Sequence, residues 1–306
     1  MHYKVAAFYK FVRLDDFRKM RRSLLEICQK LELVGTILLA KEGINGTIAG
    51  SPDDIDKIFA DLKKDPRLEN LQVKYSEAKE KPFHRIKVSQ KKEIITMGVA
   101  GVNPAKKTGQ HVSAKEWNQL IADPDVVVLD TRNSYETAIG TFENAVDPQT
   151  ESFSQIVEYV DKNLAHDKER KIAMFCTGGI RCEKLSAHML EEGFEQIYQL
   201  NGGILKYLEE MPEEKSQWKG DCFVFDHRVS IGHELKEGDH TMCHGCGYPL
   251  TSEDRRSAEY EMGVSCAKCV DSLSKEKRNG LRERQKQMEL AKTNNNKHLG
   301  QKIYKD

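Results

Sequence analysis

No run in this sequence approaches the roughly 18 consecutive apolar residues that a membrane-crossing helix needs, and the N-terminus, MHYKVAAFYKF, has no h-region of a secretory signal. The chain is therefore expected to be cytoplasmic, with no membrane partner. An excess of charge is missing too. Lys plus Arg and Asp plus Glu number 48 each, so net charge names no partner and charge has to be read locally. Eight cysteines in 306 residues fall short of a disulfide framework, and clustered thiols in a reducing compartment point to metal or catalysis. Internal repeats and flavin, haem or non-haem iron motifs are also absent. The length suggests two or three domains. With 39% apolar and 31% charged residues, those domains can build ordinary cores under a highly charged surface.

Three segments follow along the chain. In the first, YKVAAFYKFV alternates and is rich in aromatic and β-branched residues, which predicts a strand. LDDFRKMRRSLLEICQKLEL carries apolar residues at helical spacing, with Asp15 as its expected cap and Cys28 in its apolar stripe as an inert core thiol. VGTILLAKEGINGTIAG reads as a hairpin, and SPDDIDKIFADLKKDPRL as a helix with Ser51 as N-cap and Pro52 in its first position. LQVKYSEA and RIKVSQKKEIITM are further strands. The order β-α-β-β-α-β is that of a ferredoxin-like (acylphosphatase-like) α+β domain over residues 1–96.

Residues 97–122 read as a glycine-rich linker, GVAGVNPAKKTGQHVS, followed by a helix with a Ser113–Glu116 capping box. In residues 123–219 the apolar strands DVVVLD, KIAMFC and QIYQL alternate with helices, which predicts a doubly wound parallel α/β sheet. Residues 220–275 hold five of the eight cysteines, and 276–306 form a basic tail. That tail reads either as a solvated helix with a frayed end or as an RNA-contacting arm.

The stretch MFCTGGIRCEKLSAHML joins a strand end to a helix through a glycine-rich loop. Chemistry in an open α/β sheet gathers beyond the carboxyl ends of its strands. Cys176 stands there. Gly178 and Gly179 permit a tight turn with inward amides, the following helix adds its positive end, and Arg181 adds a cation. Each favours a thiolate, so Cys176 is expected to have a depressed pKa. Cysteine-dependent phosphatases place five residues between Cys and Arg. Here there are four, Thr177, Gly178, Gly179 and Ile180, a tighter cradle suited to one sulfur or a small anion.

On these residues the central domain resembles a rhodanese domain. VVLDTRNSYETAIGTFENAVDP is similar to the family's first signature, CTGGIR to its active loop, and LNGGILKY to its closing helix start. The Asp-x-Arg of the signature is Asp130 and Arg132, expected behind the loop. Where rhodaneses carry Gly-His-Ile, this chain has Gly140-Thr141-Phe142, which is expected to alter a turn and leave the site in place. Together with KEGINGT, CHGCGYPL and GVSCAKC, the whole resembles the bacterial tRNA uridine(34) hydroxylase family (TrhO family) over roughly residues 3–275. The resemblance implies an oxidoreductase that hydroxylates the wobble uridine of tRNA at C5 to give 5-hydroxyuridine, with O2 as co-substrate and the tRNA anticodon loop as partner. Composition and spacing alone lead only to a thiol-based sulfur or redox enzyme. Catalytic roles fall to Cys176 and Arg181. Cys182 is either a resolving thiol or a small packing residue.

Two further functions compete: a sulfurtransferase carrying a persulfide on Cys176 to another acceptor, and a non-catalytic RNA-binding adaptor. The intact Cys176, Gly179 and Arg181 argue against the adaptor. Cys243-x-x-Cys246, nineteen residues, then Cys266-x-x-Cys269 has the spacing of paired zinc knuckles. Structural zinc, metal-free turns and redox dithiols stay open, with His240 and His244 outside the ligand set and Cys222 packing in a strand. RNA phosphate contacts are expected from Lys41, Arg85 and Lys87 first, then from Lys91, Lys92, Lys106, Lys107 and the basic tail. No catalytic cofactor, reductant or oligomeric state is named by the sequence.

Overall fold

A computed structural model describes residues 2–293, so the last 13 residues of the basic tail lie outside the described residues. It divides into two compact units: residues up to 224 with 231–237, and 225–230 with 238 onward. Each is described by itself.

The first unit opens with β1 (Tyr3–Phe11), α1 (Phe17–Lys30), β2 (Val34–Ala40), β3 (Gly43–Gly50), α2 (Pro52–Leu62), β4 (Gln72–Ala78) and β5 (Ile86–Gln90). The strands form one sheet in the order β4-β1-β3-β2-β5, antiparallel except for the β2–β5 edge. This is the expected ferredoxin-like arrangement with a fifth strand added. Alternation decides the two faces. Ala6, Phe8, Ile44, Ile48, Ile37 and Leu39 face α1 and α2, where Phe8 meets Phe59 edge-on at 5.1 Å. Cys28 is fully buried in this core, and burial pushes its thiol up to about 12, so it is inert as expected. Ser51 caps α2 through the Asp54 amide. The N-cap of α1 is Asp16 rather than Asp15, and its side chain makes no cap bond because Arg67 holds it. Asp15 pairs instead with Arg13. EIITM is not a strand: Ile94 is fixed by the Glu42 carboxylate and the Asn45 amide, which replace ladder bonds.

The second layer set of the same unit is a four-stranded, all-parallel sheet in the order β6-β10-β9-β7, built from β6 (Gln110–Val112), β7 (Val127–Asp130), β9 (Ile172–Phe175) and β10 (Ile197–Leu200). β6 lies within the stretch that reads as loop; three residues, two of them polar, carry no strand periodicity. Helices cover both faces. Leu129 and Met174 point to α5 (Ile156–Asn163) and α6 (Ile180–Glu191), while Val128, Ala173 and Phe175 point to α3 (Ala114–Ile121) and α7 (Gly203–Glu210). The departure at Gly140-Thr141-Phe142 becomes a strand, β8, paired antiparallel with β11 (Trp218–Gly220). Its Phe142 sits among Trp117, Phe175, Tyr207 and Trp218 at ring separations of 4.8–5.4 Å. The altered turn thus became a core anchor. The intervening short helix α4 spans Ser134–Thr137. Cys222 is buried in the two-residue strand that follows.

The second unit is organised on four cysteines, a short pairing of Thr241–Met242 with Pro249–Leu250, and the helix α8 (Lys275–Thr293), tied by Arg282 to Glu261 at 2.6 and 2.7 Å. Among the described residues no helix is long and apolar enough to cross a membrane.

Candidate active site and cysteine cluster

Cys176 follows the last residue of β9 and is fully buried. The loop's carbonyls are drawn away from the sulfur: those of Cys176 and Thr177 accept from the Ile204 and Leu205 amides at the start of α7, at 3.0 and 3.1 Å. With the carbonyls occupied, the amides turn inward. Gly179 donates to the Cys176 Sγ at 3.0 Å, and the Arg181 and Cys182 amides donate as well. Two glycines are required by geometry. Gly179 has φ +100°, and Gly203 has φ +70° with a Cβ that would lie 2.5 Å from the Cys176 carbonyl oxygen. Gly178 meets neither constraint, contrary to the expectation that both loop glycines serve the turn.

Burial alone would push the Cys176 thiol up. A hydrogen bond from the Cys182 thiol, the Arg181 charge and the two amides outweigh it and bring it down to about 5. Cys182 is pushed well up, first by burial and then by its place beside Cys176, so it keeps its proton and donates it. It also lies 3.6 Å from the Thr131 hydroxyl and packs in the core.

Arg181 is less free than its spacing suggests. Its guanidinium forks onto Glu136 at 2.6 and 2.8 Å, and Thr177 Oγ1 lies 3.3 Å away. Glu136, the acid of the Tyr-Glu pair, is fully buried; burial opposes its ionisation, and Arg181 reverses that and holds its pKa low. Asp130 and Arg132 form a second buried fork at 2.6 and 2.9 Å, with Arg132 also donating to the Gly140 carbonyl at 2.6 Å and Thr141 donating to Asp130 at 3.0 Å. They lie behind the loop and fix the end of β7. Ile180 begins α6.

The N-terminal domain reaches this loop. Tyr9 lies on the β1 face opposite Phe8, and its hydroxyl sits 2.8 Å from where a methyl on Gly179 would stand. It donates to Glu183 at 3.4 Å, and Glu183 also holds His111 Nε2 at 2.9 Å. One turn along α6, the buried Lys184 ammonium is held by Glu42 at 2.8 and 2.9 Å, Glu93 at 2.7 Å and the Ile95 carbonyl at 3.1 Å. Lys41, Arg85 and Lys87 are exposed: Lys41 at the β2–β3 turn, 3.8 Å from Asp15, Arg85 just before β5 and Lys87 within it. Lys91, Lys92, Lys106 and Lys107 are exposed as well. The lysine that is electrostatically coupled to Cys176 is Lys74, which was not singled out by motif. Strand alternation from Gln72 would have put it on the Tyr9 face, but nothing in the sequence places that face over the loop.

In the second unit the sulfurs of Cys243, Cys246, Cys266 and Cys269 lie within 4.8 Å of one another, with nearest separations of 3.8–3.9 Å and no disulfide. Thiolates about 2.3 Å from one tetrahedral ion would stand roughly 3.8 Å apart, so the four can hold a metal. Gly245 lets the knuckles close: a Cβ there would lie 2.4 Å from the Val264 carbonyl and 3.2 Å from Cys269 Sγ. His240 bonds Ser230 at 3.0 Å and His244 is exposed, so neither joins the cluster.

Comparison with known proteins follows the same division. A family model described as "UPF0176 acylphosphatase like domain" matches residues 3–94, and one described as "Rhodanese-like domain" matches 113–210. Among solved structures, a rhodanese-like domain from Anabaena sp. is 17% identical over 37% of this chain and 80% of its own, with TM-score 0.31. An acylphosphatase from Coxiella burnetii is 14% identical over 29% and 93%, with TM-score 0.22. A protein of Teredinibacter turnerae named tRNA uridine(34) hydroxylase is 53% identical over 298 residues, 97% of this chain and 93% of its own. At that identity and coverage the chain belongs to the tRNA uridine(34) hydroxylase family of enzymes.

Proposed function

We propose that this chain hydroxylates the wobble uridine of tRNA at C5, giving 5-hydroxyuridine, with O2 as co-substrate and Cys176 as the reacting thiol. The observation that carries this reading is the Cys176 cradle, a buried sulfur facing three amides and a thiol donor, in a chain 53% identical to a named tRNA uridine(34) hydroxylase. One oxygen atom goes to C5 and the other leaves as water, with two electrons from a donor outside the chain. Cys176 acts either as a persulfide, its outer sulfur taken from a sulfane-sulfur donor outside the chain, or as a sulfenic acid, its thiol oxidised by two electrons with O2 as the oxidant, and the amides stabilise both. Arg181 and Glu136 keep the loop in shape, Cys182 supplies a proton-bearing neighbour that can resolve an oxidised Cys176, and Asp130 and Arg132 hold the strand behind it. Exposed Lys41, Arg85 and Lys87 meet phosphates of the anticodon arm. The four cysteines hold a structural zinc. In domain terms, residues 1–96 and 123–219 form the enzyme, joined by 97–122, with 220–275 as the metal module and 276–306 as a basic tail.

The same cradle holds a terminal sulfur equally well, so persulfide transfer to another acceptor is the second reading. Nucleoside mass spectrometry of tRNA from cells lacking the protein decides between them. The expected result is loss of 5-hydroxyuridine-derived nucleosides, restored by the wild type and not by Cys176→Ala. Restoration by the variant would remove Cys176 from the mechanism. Unchanged wobble nucleosides, with thiosulfate sulfurtransferase activity in the purified protein, would favour the second reading.

A further inference from the structure

Within the tRNA reading, the thiol site contains a cation with no task inside the chain. Arg181 is matched by Glu136, and the Cys176 sulfur is served by amides and the Cys182 thiol. Lys74 remains. It stands on β4 opposite Ala7, on the same face as Gln72 and across from the Tyr9 side of β1. Its ammonium lies 5.2 Å from the centroid of the Tyr9 ring and makes no hydrogen bond or ion pair with any described residue. The charged or titratable groups coupled to it are Cys176, Lys206 and Glu183. Burial, with Lys206, disfavours its charge, while Cys176 and Glu183 favour it; the balance draws it down to about 8. Cys176 and Glu183 act on it through space only, and a part-buried ammonium with no direct ion pair costs stability where an apolar side chain of that length would not.

Beside this face opens a cleft of about 410 Å3, lined by Tyr9, Phe11, Gln72, His111, Glu183 and Asn201 among others. Lys74 and Cys176 stand just outside that lining, and Tyr9 joins the cleft to both, with Lys74 over its ring and Gly179 of the loop at its hydroxyl. That is within the ~300–1,000 Å3 of small-molecule sites. Tyr9 and Phe11 stand two residues apart on one face of a strand, the arrangement on which unpaired bases stack in sheet-based RNA readers. His111, held by Glu183, presents a half-exposed ring to the same space.

We propose that this cleft is the docking site of the target pyrimidine nucleotide, with its base against Tyr9 and one of its oxygens, on the phosphate or a ring carbonyl, on Lys74. The acylphosphatase-like domain then supplies one wall of the thiol site.

The test uses the full-length protein and a fluorescent, unmodified anticodon stem-loop with uridine at position 34, read by anisotropy. Lys74→Met is expected to weaken binding about tenfold, the loss of one charge-assisted hydrogen bond. Tyr9→Ala is expected to weaken it by a similar factor through lost stacking. Lys74→Arg is expected to stay near wild type, and so is Lys63→Met on an exposed surface. Alkylation of Cys176 by iodoacetamide without RNA, within about threefold of wild type in each variant, shows the loop intact. A methylphosphonate at the phosphate of residue 34 assigns the oxygen: loss of the Lys74 dependence means phosphate, its survival means carbonyl. Wild-type affinity and wild-type 5-hydroxyuridine content in cells carrying Lys74→Met would overturn the subsite. If Lys74→Met disturbs alkylation, Lys74→Gln decides, with tenfold loss supporting the subsite and retained affinity refuting it. Failure of the hydroxylase reading looks different, because the wild type itself would then yield no 5-hydroxyuridine.

Discussion

At the Cys176 loop one sulfur meets many donors; at Cys243, Cys246, Cys266 and Cys269 four sulfurs meet one another. In the first place the partners are the Cys182 thiol, the Arg181 charge and backbone amides, so the side chains between Cys176 and Arg181 matter less than the path of the chain. In the second the partners are the cysteines themselves, so spacing is nearly everything, and the path asks for glycine at Gly245, where a Cβ would strike Val264, and at Gly247 and Gly263, with φ +79° and +75°. A sulfur among amides is poised to react, whereas a sulfur among sulfurs is poised to bind an ion. The same element, in one chain, is turned to two uses by what lies within about 4 Å of it.

The largest effect that would break this contrast is metal content. Cys266→Ser is expected to drop zinc from about one per chain to near zero by elemental analysis and to unfold its module, since structural zinc contributes on the order of 10 kcal/mol. Cys176→Ser is expected to keep the zinc. Equal loss in both variants would show that the two sites are not separate. Next, Gly203→Ala is expected to destabilise the first unit by about 2–4 kcal/mol in urea titrations, because the residue has φ +70° and its methyl would strike the Cys176 carbonyl. Gly178→Ala, with open space around it, is expected to stay within about 1 kcal/mol.

Cys182→Ala sharpens the contrast from inside the loop. Removing the thiol donor is expected to raise the Cys176 midpoint by roughly one to two pH units from about 5, read from the pH dependence of alkylation. An unchanged midpoint would mean that the amides and Arg181 suffice. The same depression acts on stability. Cys176 is depressed in the fold relative to an ordinary thiol, so the unfolded chain binds more protons at this group between about pH 5 and 8.5. The contribution is full above about 8.5 and is lost as pH falls to about 5, so wild-type stability should rise across that window more steeply than that of Cys176→Ser.

Much of this was written plainly in the sequence. Alternation in β1, the Ser51-Pro52 start of α2 and the Ser113–Glu116 box are local signals, and local signals survive into structure. The loop motif placed Cys176 and Arg181 together because they are neighbours on one turn. What stayed hidden depended on surfaces meeting across many residues. Glu136 is 45 residues from the arginine it neutralises, and Tyr9 is 174 residues from Glu183. Lys74 looks like any lysine on an exposed strand until Tyr9 is set above Gly179. Glu42 belongs to a motif whose glycines drew attention, yet its carboxylate is the part that reaches another domain.

That last contact bears on how the protein can be taken apart. Lys184 is on the helix that begins at the Cys176 loop, and all its partners lie at or before Ile95. A fragment cut at 113, where the rhodanese-like match begins, would keep the ammonium and discard both carboxylates, together with edge strand β6. The rhodanese-like domain is therefore no portable cassette: to move it between proteins, the lysine would have to be replaced by an apolar residue, or the first hundred residues would have to travel with it.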